Sequence, residues 1–163
     1  MNNTATKQTT ADDPIADDAI AHDPIGGDAI SVEVIETPEG LPGFTTARHW
    51  VMERQAPDAV FGLLRNLDQP GIGLLIAEPW DLAPGYEPDL PDDELARIDV
   101  REPSDVTIHV VATIASGTAD VERGTVWLNL AAPIVLNTRT GQARQVILDR
   151  QGWPLRHPVS MKG

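Results

Sequence analysis

The fold of this chain is decided by the stretch GTVWLNLAAPIVLNTRTGQARQVIL, which covers residues 124–148. Three runs within it, 124–130, 134–137 and 142–148, are rich in β-branched and long aliphatic residues, which favour strands. Residues 137–141 have the composition of a hairpin loop, with a glycine where the backbone needs a positive φ. Pro133 cannot donate to a sheet ladder, so it must begin a strand or lie at an edge.

The same alternation of short apolar runs and turn residues continues toward the N-terminus. Residues 80–90 contain two prolines and a glycine and cannot form a regular element, whereas the acids after Pro91 suit the first turn of a short helix. Further strands are predicted at residues 32–36, 48–54, 60–67 (or a short helical turn), 71–77 and 106–115. Seven or so short strands predict a mostly β fold, a small antiparallel β-barrel-like single domain with one or two short helices.

The first 31 residues differ from this pattern. A five-residue repeat runs through residues 11–30, with aspartate at its third and isoleucine at its fifth position. Spaced carboxylates would also suit a calcium-binding or solenoid array, but four short copies with recurring proline offer little apolar surface. We therefore predict a disordered acidic tail at residues 1–31 and a folded domain at residues 32–159.

Charge and composition narrow the possible functions. The net charge is −13, and residues 1–39 hold nine acids against Lys7 alone, which disfavours direct binding of nucleic acid. The chain has no cysteine, so disulfides, zinc–thiolate sites and thiol nucleophiles are excluded. No signal peptide and no apolar run of about twenty residues is apparent, so we expect a cytoplasmic protein without membrane contact.

Motifs for catalysis, metals or cofactors are missing from the sequence. The four histidines are scattered, no serine lies in a nucleophile elbow, and residues 71–73 are only half of a dinucleotide fingerprint. His109 lies in an apolar strand and is expected to be a hydrogen-bonded structural histidine. One rival hypothesis remains: a small β-barrel enzyme that uses Asp92, Asp93 or Glu94 together with His109.

The order of several motifs resembles the FliW family of flagellar assembly factors, over about residues 32–158. The motifs that match are Gly40-Leu41-Pro42-Gly43-Phe44, Leu63-Leu64-Arg65-Asn66, Pro70-Gly71-Ile72, Pro79 with Tyr86-Glu87-Pro88, the stretch LNLAAPIV at residues 128–135, and QVIL at residues 145–148. The family usually has Leu-Gln-Ser where this chain has Leu64-Arg65-Asn66.

The resemblance implies a compact β-barrel without catalytic residues or a cofactor. It also implies a regulator that binds flagellin in the cytoplasm and the translational repressor CsrA, relieving repression of flagellin translation by partner switching. The simplest oligomeric state is a monomer. A second rival hypothesis is an adaptor in which the acidic tail makes the contacts.

Seven residues are candidates for contact with a protein partner. Trp80 lies in an irregular loop, where tryptophan often anchors an interface, and acids that precede a helix could meet a basic surface. The candidates are Arg65, Asn66, Trp80, Tyr86, Asp92, Asp93 and Glu94.

Overall fold

A computed structural model describes residues 32–115 and 124–161 of the chain, so the predicted tail at residues 1–31 lies outside the described residues. These ranges contain two short helices, α1 (Asp92–Ala96) and a 3-10 helix (Pro103–Asp105). Their strands are β1 (Val32–Glu36), β2 (His49–Glu53), β3 (Phe61–Asn66), β4 (Gly73–Ala77), β5 (Val106–Ile114), β6 (Thr125–Leu128), β7 (Ile134–Asn137), β8 (Gln142–Gln145) and β9 (His157–Ser160).

Seven of these strands close into a barrel. Their order is β4-β3-β2-β1-β8-β7-β5, and pairing of β4 with β5 completes the ring. Neighbouring strands are antiparallel except β1 and β8, which meet in parallel at the single pair Glu36 and Gln142. The C-terminal half of β5 pairs with β6, and β6 pairs with β9, forming an extension beside the barrel. The prediction of a mostly β, barrel-like fold is confirmed.

Strand β7 shows how the core is organised, because all four of its residues are buried. Alternate side chains of a strand point to opposite faces. Ile134 and Leu136 pack inside the barrel with Trp50, whereas Val135 packs on the outside with Ile98, which follows α1. A further outer cluster, which includes Tyr86, Val110 and Leu128, lies between β5, β6 and the loop after β4. The barrel is therefore covered on two parts of its outer surface.

The turn after β1 depends on Gly40. Its φ is +72°, and a Cβ built there would lie 2.7 Å from the Cα of Thr45, so a side chain is excluded by both conformation and space. The Trp50 indole N–H donates to Thr37 Oγ1 at 3.0 Å, which ties this turn to the barrel interior. The predicted tight turn between the first two strands is thus built around a buried tryptophan.

One strand boundary and one whole strand differ from the sequence prediction. The strand predicted at residues 142–148 ends at Gln145. The Val146 amide donates to the Pro133 carbonyl and the Leu148 amide to the Ala131 carbonyl, which continues the β7–β8 register, but Pro133 has no N–H that could return a bond. Strand β9 was not predicted, since its four residues include a proline and lack a long apolar run.

Candidate protein-binding groove

An open groove lies on the outside of the barrel, between the loop after β4 and the segment from α1 to the start of β5. We call it the Trp80 groove. Its volume is about 680 Å³, which falls in the range of about 300–1,000 Å³ usual for ligand sites. It is lined by Glu78, Trp80, Leu90, Asp92, Leu95, Ala96, Val100, Arg101, Glu102, Pro103, Val106, Thr107 and Ile108.

The floor of the groove is apolar and is supported from below. Leu95, Val100 and Val106 are half-buried and pack against the cluster that contains Ile98. Ile108, one step further along β5, packs against the cluster that contains Tyr86. Because the two outer clusters meet beneath the groove, its floor is a continuation of the packed structure rather than a mobile loop.

Trp80 forms one wall of the groove and contacts the ring of Tyr86. The indole is 47% exposed, and its centroid is 6.2 Å from the Tyr86 ring at an angle of 36°. Tyr86 packs edge to face with Trp153 at 4.8 Å, and its hydroxyl donates to the Leu130 carbonyl at 2.8 Å. Burial raises the pKa of Tyr86 to about 12, so this hydroxyl stays a donor at neutral pH.

The charges around the groove are predominantly negative. Glu78 accepts from Arg54 at 2.6 Å, so its charge is compensated. Arg101 lies 3.4 Å from Asp99, which pairs more closely with Arg139 at 2.9 Å; Asp105, 3.6 Å from Arg139, is the second acid of this group, so its four charges balance. Asp92 and Glu102 form no ion pair with any described residue, and both are exposed. The lining therefore presents two uncompensated carboxylates beside an apolar floor.

The opposite wall, α1, is held by contacts beyond its own five residues. Its N-cap is Pro91, which provides no side-chain hydrogen bond, and none of its residues is fully buried. Arg144 of β8 pairs with Glu94 and with Glu39 of the turn after β1. Asn137 Nδ2 donates to the carbonyls of Ile98 and Asp99, at 2.8 and 2.9 Å. These bonds fix the position of α1 on the barrel.

The structure brings together only part of the predicted contact set. Trp80 and Asp92 line the groove, Asp93 is exposed on α1, and Glu94 is occupied by Arg144. Tyr86, 3% exposed, supports Trp80 from beneath and offers almost no surface of its own.

The other two predicted residues lie on β3, apart from the lining of the groove. Arg65 is exposed and pairs with Glu53 on β2. Asn66 is 1% exposed; its amide donates to the His49 carbonyl and its oxygen accepts from the Gln69 amide. Asn66 therefore shapes the turn after β3 and offers almost no surface to a partner.

His109 and the acids of α1 do not form the catalytic arrangement that the enzyme hypothesis requires. His109 is 2% exposed, and its Nε2 lies 3.4 Å from Thr107 Oγ1. Its Nδ1 has no hydrogen-bond partner among the described residues. Desolvation, and to a lesser degree the nearby Arg54 cation, lowers its pKa to about 4. None of the three acids hydrogen-bonds or pairs with it within the described ranges.

Several groove residues were missed from the sequence, among them Glu102, Val106 and Ile108. These three residues are close along the chain, but they lie far in sequence from Trp80, so their position beside it has no sequence signature. One local signal exists: Glu102 and Asp105 form a reciprocal capping box around the 3-10 helix, a pattern readable from their spacing.

Other sites are not apparent in the described parts of the chain. Residues 32–115 and 124–161 contain no group of three or more histidine, aspartate or glutamate side chains arranged for a metal ion. No helix in these ranges is long and apolar enough to cross a membrane.

Barrel and groove together define a small β-barrel protein with a partly apolar groove that carries acidic residues in its lining. The family model described as FliW protein matches residues 26–159, and the chain belongs to the FliW family.

Individual relatives agree with this assignment. The flagellar assembly factor FliW of Clostridium novyi (strain NT) is 28% identical over 131 residues, covering 80% of this chain and 88% of the relative. That of Geobacillus kaustophilus (strain HTA426) is 30% identical over 125 residues, covering 77% and 83%. A crystal structure of the flagellar assembly factor FliW matches with a TM-score of 0.67 at 29% identity, covering 77% of this chain and 84% of the other.

Proposed function

We propose that this protein is a non-catalytic regulator of flagellar assembly, which binds flagellin in the cytoplasm and the translational repressor CsrA. Membership of the FliW family carries this proposal, because the curated relatives are named flagellar assembly factors. The groove supports it in a general way, since an exposed tryptophan above an apolar floor is typical of protein-binding surfaces.

The proposed mechanism is partner switching by linked equilibria. When CsrA is bound, it is withdrawn from flagellin mRNA, and translation proceeds. When unexported flagellin accumulates, it occupies the regulator and releases CsrA, which represses flagellin synthesis again. Such switching needs no chemistry on either partner, because each ligand lowers the free concentration of the binding protein available to the other.

Calorimetric titration with flagellin and CsrA from the same bacterium tests the proposal. We expect both to bind with micromolar or tighter affinity. Because partner switching requires competition, flagellin at about ten times its dissociation constant should weaken the apparent affinity for CsrA about tenfold. Failure of either protein to bind at micromolar concentration would remove the proposal.

A further inference from the structure

We propose that the Trp80 groove binds a basic amphipathic segment of a protein partner, with apolar side chains on its floor and lysine or arginine at Asp92 and Glu102. This inference rests on the proposed function, because it names the chemistry that the groove of such a regulator would recognise. It goes beyond that function in assigning one surface and one kind of segment.

The floor of the groove and its Trp80 wall form an apolar surface. Leu95, Val106 and Ile108 present aliphatic surface, and the half-exposed Trp80 indole borders it. The exposed half of this indole can bury a large area against a partner. The floor and wall together therefore favour large apolar side chains.

The charges in the lining indicate which charge a partner segment should carry. Of the four charged residues in the lining, three are acidic and one is basic. Glu78 is paired with Arg54. Arg101 belongs to a group in which two arginines, Arg101 and Arg139, face two aspartates, Asp99 and Asp105, so the charges of this group balance. The carboxylates of Asp92 and Glu102 are left without a counter-charge, although Glu102 accepts the backbone N–H of Asp105. An acidic segment would be repelled, and an uncharged one would leave these carboxylates without a counter-charge, so a basic segment fits best.

The groove is also preformed. Tyr86 supports Trp80 through ring contact and is itself fixed by its hydrogen bond to Leu130. Arg144 fixes α1 through Glu94 on the other side. A segment entering the groove would therefore meet walls that need little ordering, which lowers the entropic cost of binding.

A synthetic peptide with leucines at helical spacing and lysines at the remaining positions is a suitable probe. Its charge-reversed twin carries glutamate in place of each lysine. We expect the lysine peptide to bind the full-length protein with micromolar affinity and the glutamate twin not to bind, as measured by fluorescence anisotropy. Equal binding of the two peptides, or binding of neither, would overturn the inference.

Variants then locate the site. Trp80→Ala should weaken binding of the lysine peptide about tenfold or more, whereas Leu155→Ala, which removes a more exposed apolar side chain outside the groove, should leave it unchanged. The double variant Asp92→Asn/Glu102→Gln should weaken binding several-fold at low salt and flatten its salt dependence. Its matched control is Asp58→Asn/Asp149→Asn, which neutralises two exposed acids outside the lining.

Three results distinguish failure of this inference from failure of the proposed function. If the control double variant weakens peptide binding as much as the groove variant does, the peptide is held by overall charge and the inference is wrong. If Trp80→Ala leaves the peptide affinity unchanged, the inference is equally wrong, even where flagellin and CsrA still bind. Conversely, groove-dependent peptide binding without binding of flagellin or CsrA would keep the inference and remove the proposed function.

Discussion

At the scale of single residues, His109 has the most unusual surroundings. It lies on β5 opposite Ile134, a residue of the barrel interior, and its charged neighbours are Arg54 and Glu78. His109 is buried, as expected of a structural histidine. The expected hydrogen bonding is incomplete, because Nδ1 has no partner among the described residues. A buried imidazole without full hydrogen bonding resists protonation, which makes it a source of acid sensitivity.

The pKa of His109 predicts how stability depends on pH. The folded-state pKa is about 4, against a reference of 6.5 for the unfolded chain. Above pH 6.5 both states are neutral at this site; as the pH falls toward 4, the unfolded state gains a proton that the folded state does not accept. His109 should therefore reduce the free energy of unfolding by about 3 kcal/mol between pH 6.5 and 4.

Urea denaturation at several pH values measures this effect. The variant His109→Leu should lose most of that pH dependence, whereas the control His157→Gln, in β9, should retain it. Identical pH profiles for wild type and His109→Leu would contradict the assignment.

At the scale of elements, the ion pairs of Arg144 determine where α1 lies. Only 19% of the Arg144 side chain and 22% of the Glu94 side chain is exposed, so removing the guanidinium leaves a poorly hydrated carboxylate. Arg144→Met keeps the aliphatic stem and should cost about 1–3 kcal/mol. The control Arg65→Met removes an exposed pair with Glu53 and should cost about 0–1 kcal/mol.

Hydrogen exchange tests whether the loss is local. In Arg144→Met, the amides of Leu95 and Ile98, which are hydrogen-bonded in and just after α1, should lose more protection than those of β2 and β3. A uniform loss across the barrel, or equal costs for Arg144→Met and Arg65→Met, would show that these ion pairs do not hold α1.

The elements also show what the sequence can and cannot predict. Strand positions followed from β-branched runs and turn residues, and the start of α1 from three acids after Pro91, because both signals are local. The burial of Asn66 and Tyr86 could not be predicted from the sequence. Tyr86, for example, packs against Trp153 and donates to the carbonyl of Leu130, 44 residues away in sequence. The groove was not predictable either, because it forms only where β4, α1 and β5 converge.

At the scale of the whole molecule, the acidic tail at residues 1–31 carries five of the thirteen net negative charges of the chain. Residues 1–31 contain six aspartates and Lys7, so deleting them changes the net charge from −13 to −8. Charges at a distance from an interface act mainly on the rate of encounter, and at physiological salt they are screened beyond about 8 Å.

If residues 32–159 make the contacts, deletion of residues 1–31 should slow association with a basic partner several-fold at low salt. The dissociation rate should stay within about twofold of that of the full chain, because the groove and β1 are retained. Stopped-flow association with CsrA, at low and physiological salt, measures both rates.

A variant in which six tail aspartates become asparagine separates charge from chain length, and it should behave like the deletion. Loss of binding in the deletion, with the circular dichroism spectrum of the barrel unchanged, would instead place the contacts in the tail and support the adaptor hypothesis.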